Sequence, residues 1–72
     1  MLKINQIKQV NIRKINEFDV VRLKSGEEAT VLEIFKPTTR DKLTHYDVEI
    51  ASREDILTIS DIDIEKIIYH AA

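Results

Sequence analysis

The chain has 72 residues, a formal net charge of −2, 43% apolar residues, 33% charged residues and no cysteine. This length indicates one domain, which buries only about 60% of the surface that its unfolded chain exposes. The lack of cysteine excludes disulfides, cysteine-ligated metals and thiol nucleophiles, and we expect a cytoplasmic protein. No apolar run approaches the roughly 18 residues that predict a membrane span, so no membrane partner is expected.

The charge is concentrated unevenly along the chain. Residues 1–16 carry four basic residues and no acid, whereas residues 17–72 carry seven basic and thirteen acidic residues. A basic segment on an acidic body can contact phosphates, or it can fold against its own body. The segment also holds apolar residues that require burial: Leu2, Ile4, Ile7, Val10, Ile12 and Ile15. We therefore expect residues 1–16 to be an extension, helical or irregular rather than a strand, packed on a domain of residues 17–70.

The first two predicted strands lie on either side of the only glycine. Residues 18–24 place Val21 and Leu23 on one face with Asp19, and three residues on the other: Phe18, Val20 and Arg22. Residues 29–36 are apolar on both faces, with Val31 and Phe35 on one side and two residues on the other: Leu32 and Ile34. Such a pattern favours a strongly curved strand covered on both sides, and Pro37 ends it.

The intervening stretch "KSGEEATV" has two interpretations. Ser25 and Glu28 have the spacing of a helix capping box. That helix would be short, with Gly26 in its first turn and several β-branched residues, and it would leave the first strand without a neighbour. A hairpin turn around Gly26 pairs the two strands directly, and it is the favoured interpretation.

The second half of the chain predicts three further strands. Residues 44–51 alternate cleanly, with Tyr46, Val48 and Ile50 facing the core. Residues 56–60 form a short strand with Leu57 and Ile59 inward. Ser60 and Asp61 can cap a single turn. Residues 60–63 then favour a 3₁₀ turn and residues 64–69 a last strand, although a short helix over 64–69 has compatible spacing.

Five short strands with one turn before the last predict an all-β fold, a small closed or partly open barrel. The pattern resembles small bacterial SH3-like barrels, including KOW-type domains. The resemblance rests on a set of core and turn positions: Asp19, Val21, Leu23, Gly26, Thr30, Val31, Glu49, Ile50, Leu57, Thr58, Ile59 and Asp63. It implies a five-stranded SH3-like barrel over residues 18–68 and names no catalytic group. Ala29 stands where the pattern has a second glycine, which places a nucleic-acid-binding loop in doubt.

The sequence offers little for catalysis or metal binding, and we expect a non-enzymatic protein without a cofactor. Ser52, His45 and Asp47 form a trio of a kind that any small protein provides. The run "DIDIE" has the first spacing of a calcium loop, but it lacks the glycine and the distal ligands. No phosphate-binding glycine motif is present.

We therefore expect a protein-interaction or accessory module whose partner is another protein, with KOW-like binding of nucleic acid or the ribosome as the alternative. The candidate partner-contact residues are basic residues and an aromatic residue near them: Arg22, Lys24, Phe35, Lys36, Arg40 and Lys42. Tyr46 is expected in the core rather than on a stacking surface. The chain is expected to be a monomer or a homodimer, because so small a core is often supplemented by association.

Overall fold

Residues 14–71 are described by a computed structural model, and they form one antiparallel β-sheet. The five strands are β1 (Val20–Leu23), β2 (Glu28–Phe35), β3 (His45–Ile50), β4 (Asp55–Ser60) and β5 (Ile64–Tyr69). A 3₁₀ turn, Asp61–Asp63, precedes β5. The all-β prediction is confirmed, each strand lies within two residues of its predicted position, and the helix considered for residues 64–69 does not form.

The strands pair in the order β4–β3–β2–β1–β5, so β4 and β5 are the edges of the sheet. Side chains that alternate toward one face of these strands build a single core, to which Ile15 also contributes: Ile15, Val21, Leu23, Ala29, Val31, Tyr46, Val48, Ile50, Ile59 and Ile64. Ile15 is the point at which the predicted extension joins the core. Residues 1–13, the rest of that extension, lie outside the described residues.

The glycine turn joins β1 to β2 as a hairpin, as the favoured interpretation predicted. Val21 lies opposite Ala29, and Arg22 lies opposite Glu28. The Gly26 N–H donates to the carbonyl of Leu23 at 2.8 Å. Gly26 has a φ of 97°, a conformation that side chains rarely adopt, which explains why glycine stands there.

A β-bulge in β2 corrects the predicted faces of that strand. Val31 lies opposite Val48, but Glu33 rather than Leu32 lies opposite Asp47. The extra residue resets the alternation, because side chains change face at each position of a strand. Ile34 therefore packs against the core, on the same side as Val31, while Phe35 turns outward and is 41% exposed.

One further prediction about a side chain is wrong. Phe18 was placed within the first strand, but it precedes β1 with a φ of 72° and is 59% exposed. Leu57 was predicted to face inward beside Ile59, and it does, since it lies opposite Val48. It remains 38% exposed because β4 has a neighbouring strand on one side only.

The 3₁₀ turn is fixed at both ends by polar contacts. The Asp63 carboxylate accepts hydrogen bonds from the Ser60 N–H at 3.0 Å and from the Ser60 hydroxyl at 3.4 Å, so the third residue of the turn binds back to the residue before it. The buried Tyr46 donates its hydroxyl proton to Asp61 Oδ1 at 2.6 Å. The prediction that Tyr46 belongs to the core is confirmed.

Candidate functional site

The connection between β2 and β3 forms a compact turn. The Thr38 N–H donates to the Asp41 carbonyl at 2.7 Å. The Thr38 hydroxyl oxygen in turn accepts from the N–H groups of Arg40 at 3.3 Å and Asp41 at 3.0 Å. Short polar side chains stabilise turns in this way. We call residues 35–43 the cationic loop, for the charges that it presents.

The charges of the cationic loop are unbalanced. Its acid, Asp41, accepts from the Leu43 N–H at 3.0 Å and lies 3.4 Å from Nε2 of His45. Lys36, Arg40 and Lys42 are exposed, and none of them forms an ion pair within residues 14–71. Three cations thus face solvent beside one carboxylate that is already engaged.

Two apolar side chains flank these cations. Phe35 is 41% exposed, and Leu43 is 37% exposed. Aromatic and apolar side chains surrounded by polar residues can supply the apolar centre of a protein interface. Four of the six predicted contact residues, Phe35, Lys36, Arg40 and Lys42, therefore lie on one loop.

The other two predicted residues lie on β1 and the hairpin. Arg22 forms an ion pair with Glu28 at 3.1 Å, so its charge is already balanced. The Lys24 N–H donates to the Asp63 carbonyl at 2.9 Å, while the Asp61 N–H donates to the Thr44 carbonyl at 3.1 Å. The backbone of Lys24 is thus joined through the 3₁₀ turn to Thr44, the residue that follows the cationic loop. No side-chain bond within the described region links Arg22 or Lys24 to the loop, and contact of these residues with a partner stays a prediction.

A second polar cluster surrounds Asp19, whose side chain is fully buried. Its Oδ2 accepts from the Asn16 N–H at 2.9 Å and lies 3.0 Å from Nδ1 of His70, and its Oδ1 accepts from the Ala71 N–H at 2.7 Å. Burial raises the pKa of Asp19, but the hydrogen bonds from Asn16, Ala71 and His70 outweigh burial, and the net pKa is lowered. This carboxylate ties the segment before β1 to the segment after β5.

The sequence contained one sign of this cluster. Asp19 is in phase with the apolar face of Val21 and Leu23, and an acid at an inward position requires partners. Its partner His70 was set aside because it stands close to the chain end, where ordering is not expected. The role of the Asp19 cluster is structural, since its donors are three groups of the chain itself.

A third cluster joins the two turns at the other end of β3. Arg53 donates to both carboxylate oxygens of Glu27, at 3.0 and 3.3 Å, and to Asp55 at 2.9 Å. The hydrogen bond and charge of Arg53 lower the pKa of Glu27, and Glu27 raises the pKa of Arg53. Both side chains are partly exposed, so the pair orients the turns more than it stabilises the fold.

The trio considered for catalysis is not assembled. His45 begins β3, whereas Ser52 follows its end, roughly 20 Å away along the strand. Asp47 accepts from the Thr58 hydroxyl at 2.6 Å. Within residues 14–71, no group of three His, Asp or Glu side chains is arranged to hold a metal ion. The same stretch contains no helix with the length and hydropathy that a membrane span requires.

Comparison with protein-family models, with curated proteins and with solved structures finds no match to this chain.

Proposed function

We propose that this protein is a small non-enzymatic interaction module that binds an acidic segment of another protein through the cationic loop. The observation that carries the proposal is a group of three cations without an ion-pair partner among residues 14–71, which lies between two exposed apolar side chains: Lys36, Arg40 and Lys42. The whole chain has a net charge of −2, whereas residues 35–43 carry three cations and one acid and are therefore positive. Opposite charge on a partner would guide binding to the loop.

The same proposal includes an SH3-like barrel as the scaffold. The strand order β4–β3–β2–β1–β5 supports it, as does the 3₁₀ turn that connects the two edge strands. Lys24 and Thr44 hydrogen-bond to opposite ends of that turn. Lys24 lies in the connection before β2 and Thr44 in the connection after it, so the two residues stand at opposite ends of that strand. The sheet must curl for both residues to reach the same 3₁₀ turn, and such curling is what closes a sheet into a small barrel.

A matched pair of charge-reversed variants tests the proposed function. Arg40→Glu with Lys42→Glu reverses two cations of the loop. Lys14→Glu with Lys66→Glu makes the same change in net charge at two exposed lysines elsewhere. Affinity purification from the native cells, followed by mass spectrometry, should recover a partner with the wild type and the Lys14/Lys66 variant but not with the loop variant. Identical recovery by both variants rejects the loop as the binding site.

A purified partner then allows a quantitative test. We expect its dissociation constant to rise more than about tenfold for Arg40→Glu with Lys42→Glu, and to rise with salt in the wild type. Phe35→Ala should also weaken binding, whereas Phe18→Ala, a change at a phenylalanine outside the loop that is more exposed (59% against 41%), should not. Equal effects of the two phenylalanine changes would argue against a contact at Phe35.

Binding of single-stranded nucleic acid by the same loop is the second candidate, KOW-like in kind. The observation that favours it is the exposed ring of Phe35 beside Lys36, since bases stack on exposed aromatic side chains near cations. The departure at Ala29 counts against it: this side chain is buried in the core opposite Val21 and offers no contact surface. Fluorescence anisotropy with RNA and DNA oligonucleotides at low salt decides the question. Flat titrations reject the second candidate and leave the first intact.

A further inference from the structure

The two edge strands of the sheet differ in how they are protected. β5 pairs with β1 through two register shifts, which leave Glu65 and Ile68 without an opposite residue. Such bulges, together with the charge of Lys66, are devices that prevent an edge from pairing with another strand. β4 pairs with β3 over six residues without a shift. From Ile56 to Ser60 it carries no charge, and it therefore presents a regular, uncharged edge.

The hydrogen bonds at the end of β4 show which of its backbone groups face outward. The Asp61 N–H, just after β4, donates to the carbonyl of Thr44, the residue just before β3. In an antiparallel pair, the backbone N–H and C=O groups of successive residues point alternately toward and away from the partner strand. The backbone groups of Ile59, Leu57 and Asp55 therefore also point toward β3. Those of Ile56, Thr58 and Ser60 point away from it. The Ser60 N–H is already taken by the Asp63 carboxylate at 3.0 Å. Among residues 14–71, two consecutive outward residues, Ile56 and Thr58, have no strand partner on that side and can pair with another chain.

An apolar groove lies along the inner side of this edge. It has a volume of about 280 Å³, and its lining residues come from β1, the hairpin, β4 and the 3₁₀ turn: Leu23, Lys24, Ser25, Glu27, Leu57, Ile59 and Asp63. Both acids of the lining are engaged, Glu27 by Arg53 and Asp63 by Ser60. Lys24 is the cation of this lining and forms no ion pair within the described region; Asp63 forms none either, since its partner Ser60 is uncharged.

We propose that β4 pairs with β4 of a second copy of this chain, antiparallel, about a two-fold axis at Leu57. In this two-fold arrangement, Ile56 of each copy lies opposite Thr58 of the other. The outward backbone N–H and C=O groups of Ile56 and Thr58 then hydrogen-bond across the interface in both copies. Leu57 of each copy then lies opposite its counterpart, on the face that lines the groove. This interface is separate from the cationic loop and does not depend on the function proposed for it.

The charges near the groove agree with this register. Asp55 faces inward, opposite Ile50, two residues before Leu57. In the two-fold pair, Asp55 of one copy lies opposite Ile59 of the other, which lines the groove together with Lys24. Asp55 already accepts from Arg53 at 2.9 Å, but Arg53 also binds Glu27, so these three side chains together retain one negative charge. The two-fold pair brings that charge toward Lys24, which forms no ion pair among residues 14–71, twice per dimer. No charged residue lies between Ile56 and Ser60, so like charges do not meet at the centre of the pair.

Two isoleucines with nearly equal exposure supply the test. Ile56 is 62% exposed on the β4 edge, and Ile62 is 60% exposed in the 3₁₀ turn. Sedimentation equilibrium of the full chain, over a micromolar to millimolar range, measures the dimer dissociation constant. Ile56→Lys should raise that constant more than about tenfold, whereas Ile62→Lys should leave it within about threefold. Thermal melts of dilute protein check that both variants remain folded.

A proline variant tests the backbone pairing itself. Ile56→Pro removes an N–H that points away from β3, which an edge strand tolerates. It should abolish the dimer while the monomer keeps its β-sheet circular dichroism. A wild-type chain that stays monomeric at all concentrations overturns the proposal. Equal weakening by Ile56→Lys and Ile62→Lys overturns it as well, since that result indicates non-specific apolar association.

Discussion

Replacing the buried carboxylate of Asp19 by an amide should destabilise the fold measurably. In Asp19→Asn the amide keeps one acceptor oxygen. Whichever way it lies, its NH₂ group faces one of two donors, the N–H of Asn16 or the N–H of Ala71. A donor left without an acceptor costs about 1–3 kcal/mol. A domain of this length has a total stability of roughly 4–11 kcal/mol, so the loss is a considerable fraction of it.

Chemical denaturation and thermal melts near neutral pH measure this effect. For a domain of this size, the expected loss corresponds to a fall in Tm of roughly 5–20 °C. Glu17→Gln is the matched control, an acid-to-amide change at an exposed position two residues away, and it should stay within about 0.5 kcal/mol of the wild type. An Asp19→Asn variant as stable as Glu17→Gln would refute the reasoning that this carboxylate holds the two chain segments together.

Three further predictions concern the Asp19 carboxylate, the glycine turn and the ion pair between turns. The folded pKa of Asp19 lies below its ordinary value of 3.8, so the ionised carboxylate stabilises the fold at pH values above 3.8. This stabilisation is lost as the pH falls through the folded pKa. The difference in free energy of unfolding between wild type and Asp19→Asn should therefore disappear in strongly acidic denaturation series. Gly26→Ala should lower the free energy of unfolding by about 1–2 kcal/mol through backbone strain alone, since the added Cβ meets no atom within 4 Å. Gly26→Asn should lower it by less in the same denaturation assay, because asparagine adopts a positive φ more readily than alanine. Arg53→Ala should bring the pKa of Glu27 back toward its ordinary value in an NMR titration and should lower stability slightly, by an amount that shrinks at high salt; an unchanged Glu27 pKa contradicts the pairing.

Most of the fold follows from local pattern. The alternation in β3, with Tyr46, Val48 and Ile50 inward, and the turn at Gly26 were sufficient to predict the strands and the hairpin. The bulge at Leu32 was not predictable in this way. A bulge depends on how β2 and β3 align with each other, whereas the apolar residues on both sides of β2 fit either register.

The site was only partly predictable for a related reason. Composition alone marks Lys36, Arg40 and Lys42 as a basic group. That they find no ion-pair partner among residues 14–71 depends on where the acids lie in the fold. Arg22 is also a cation, but it forms an ion pair with Glu28 because β1 and β2 place the two residues opposite each other across the hairpin. The contacts of Asp19 with His70 and Ala71 join residues more than fifty positions apart, beyond the reach of any local pattern.

The cationic loop as the binding site is the central claim, and backbone amide NMR of the isotopically labelled full chain tests it most directly. On titration with the partner recovered by the wild type, we predict that the largest shift changes fall in residues 35–43 and that Arg40→Glu with Lys42→Glu abolishes them. Largest changes on β4 or the β1–β2 hairpin, with the loop unaffected, would contradict the account.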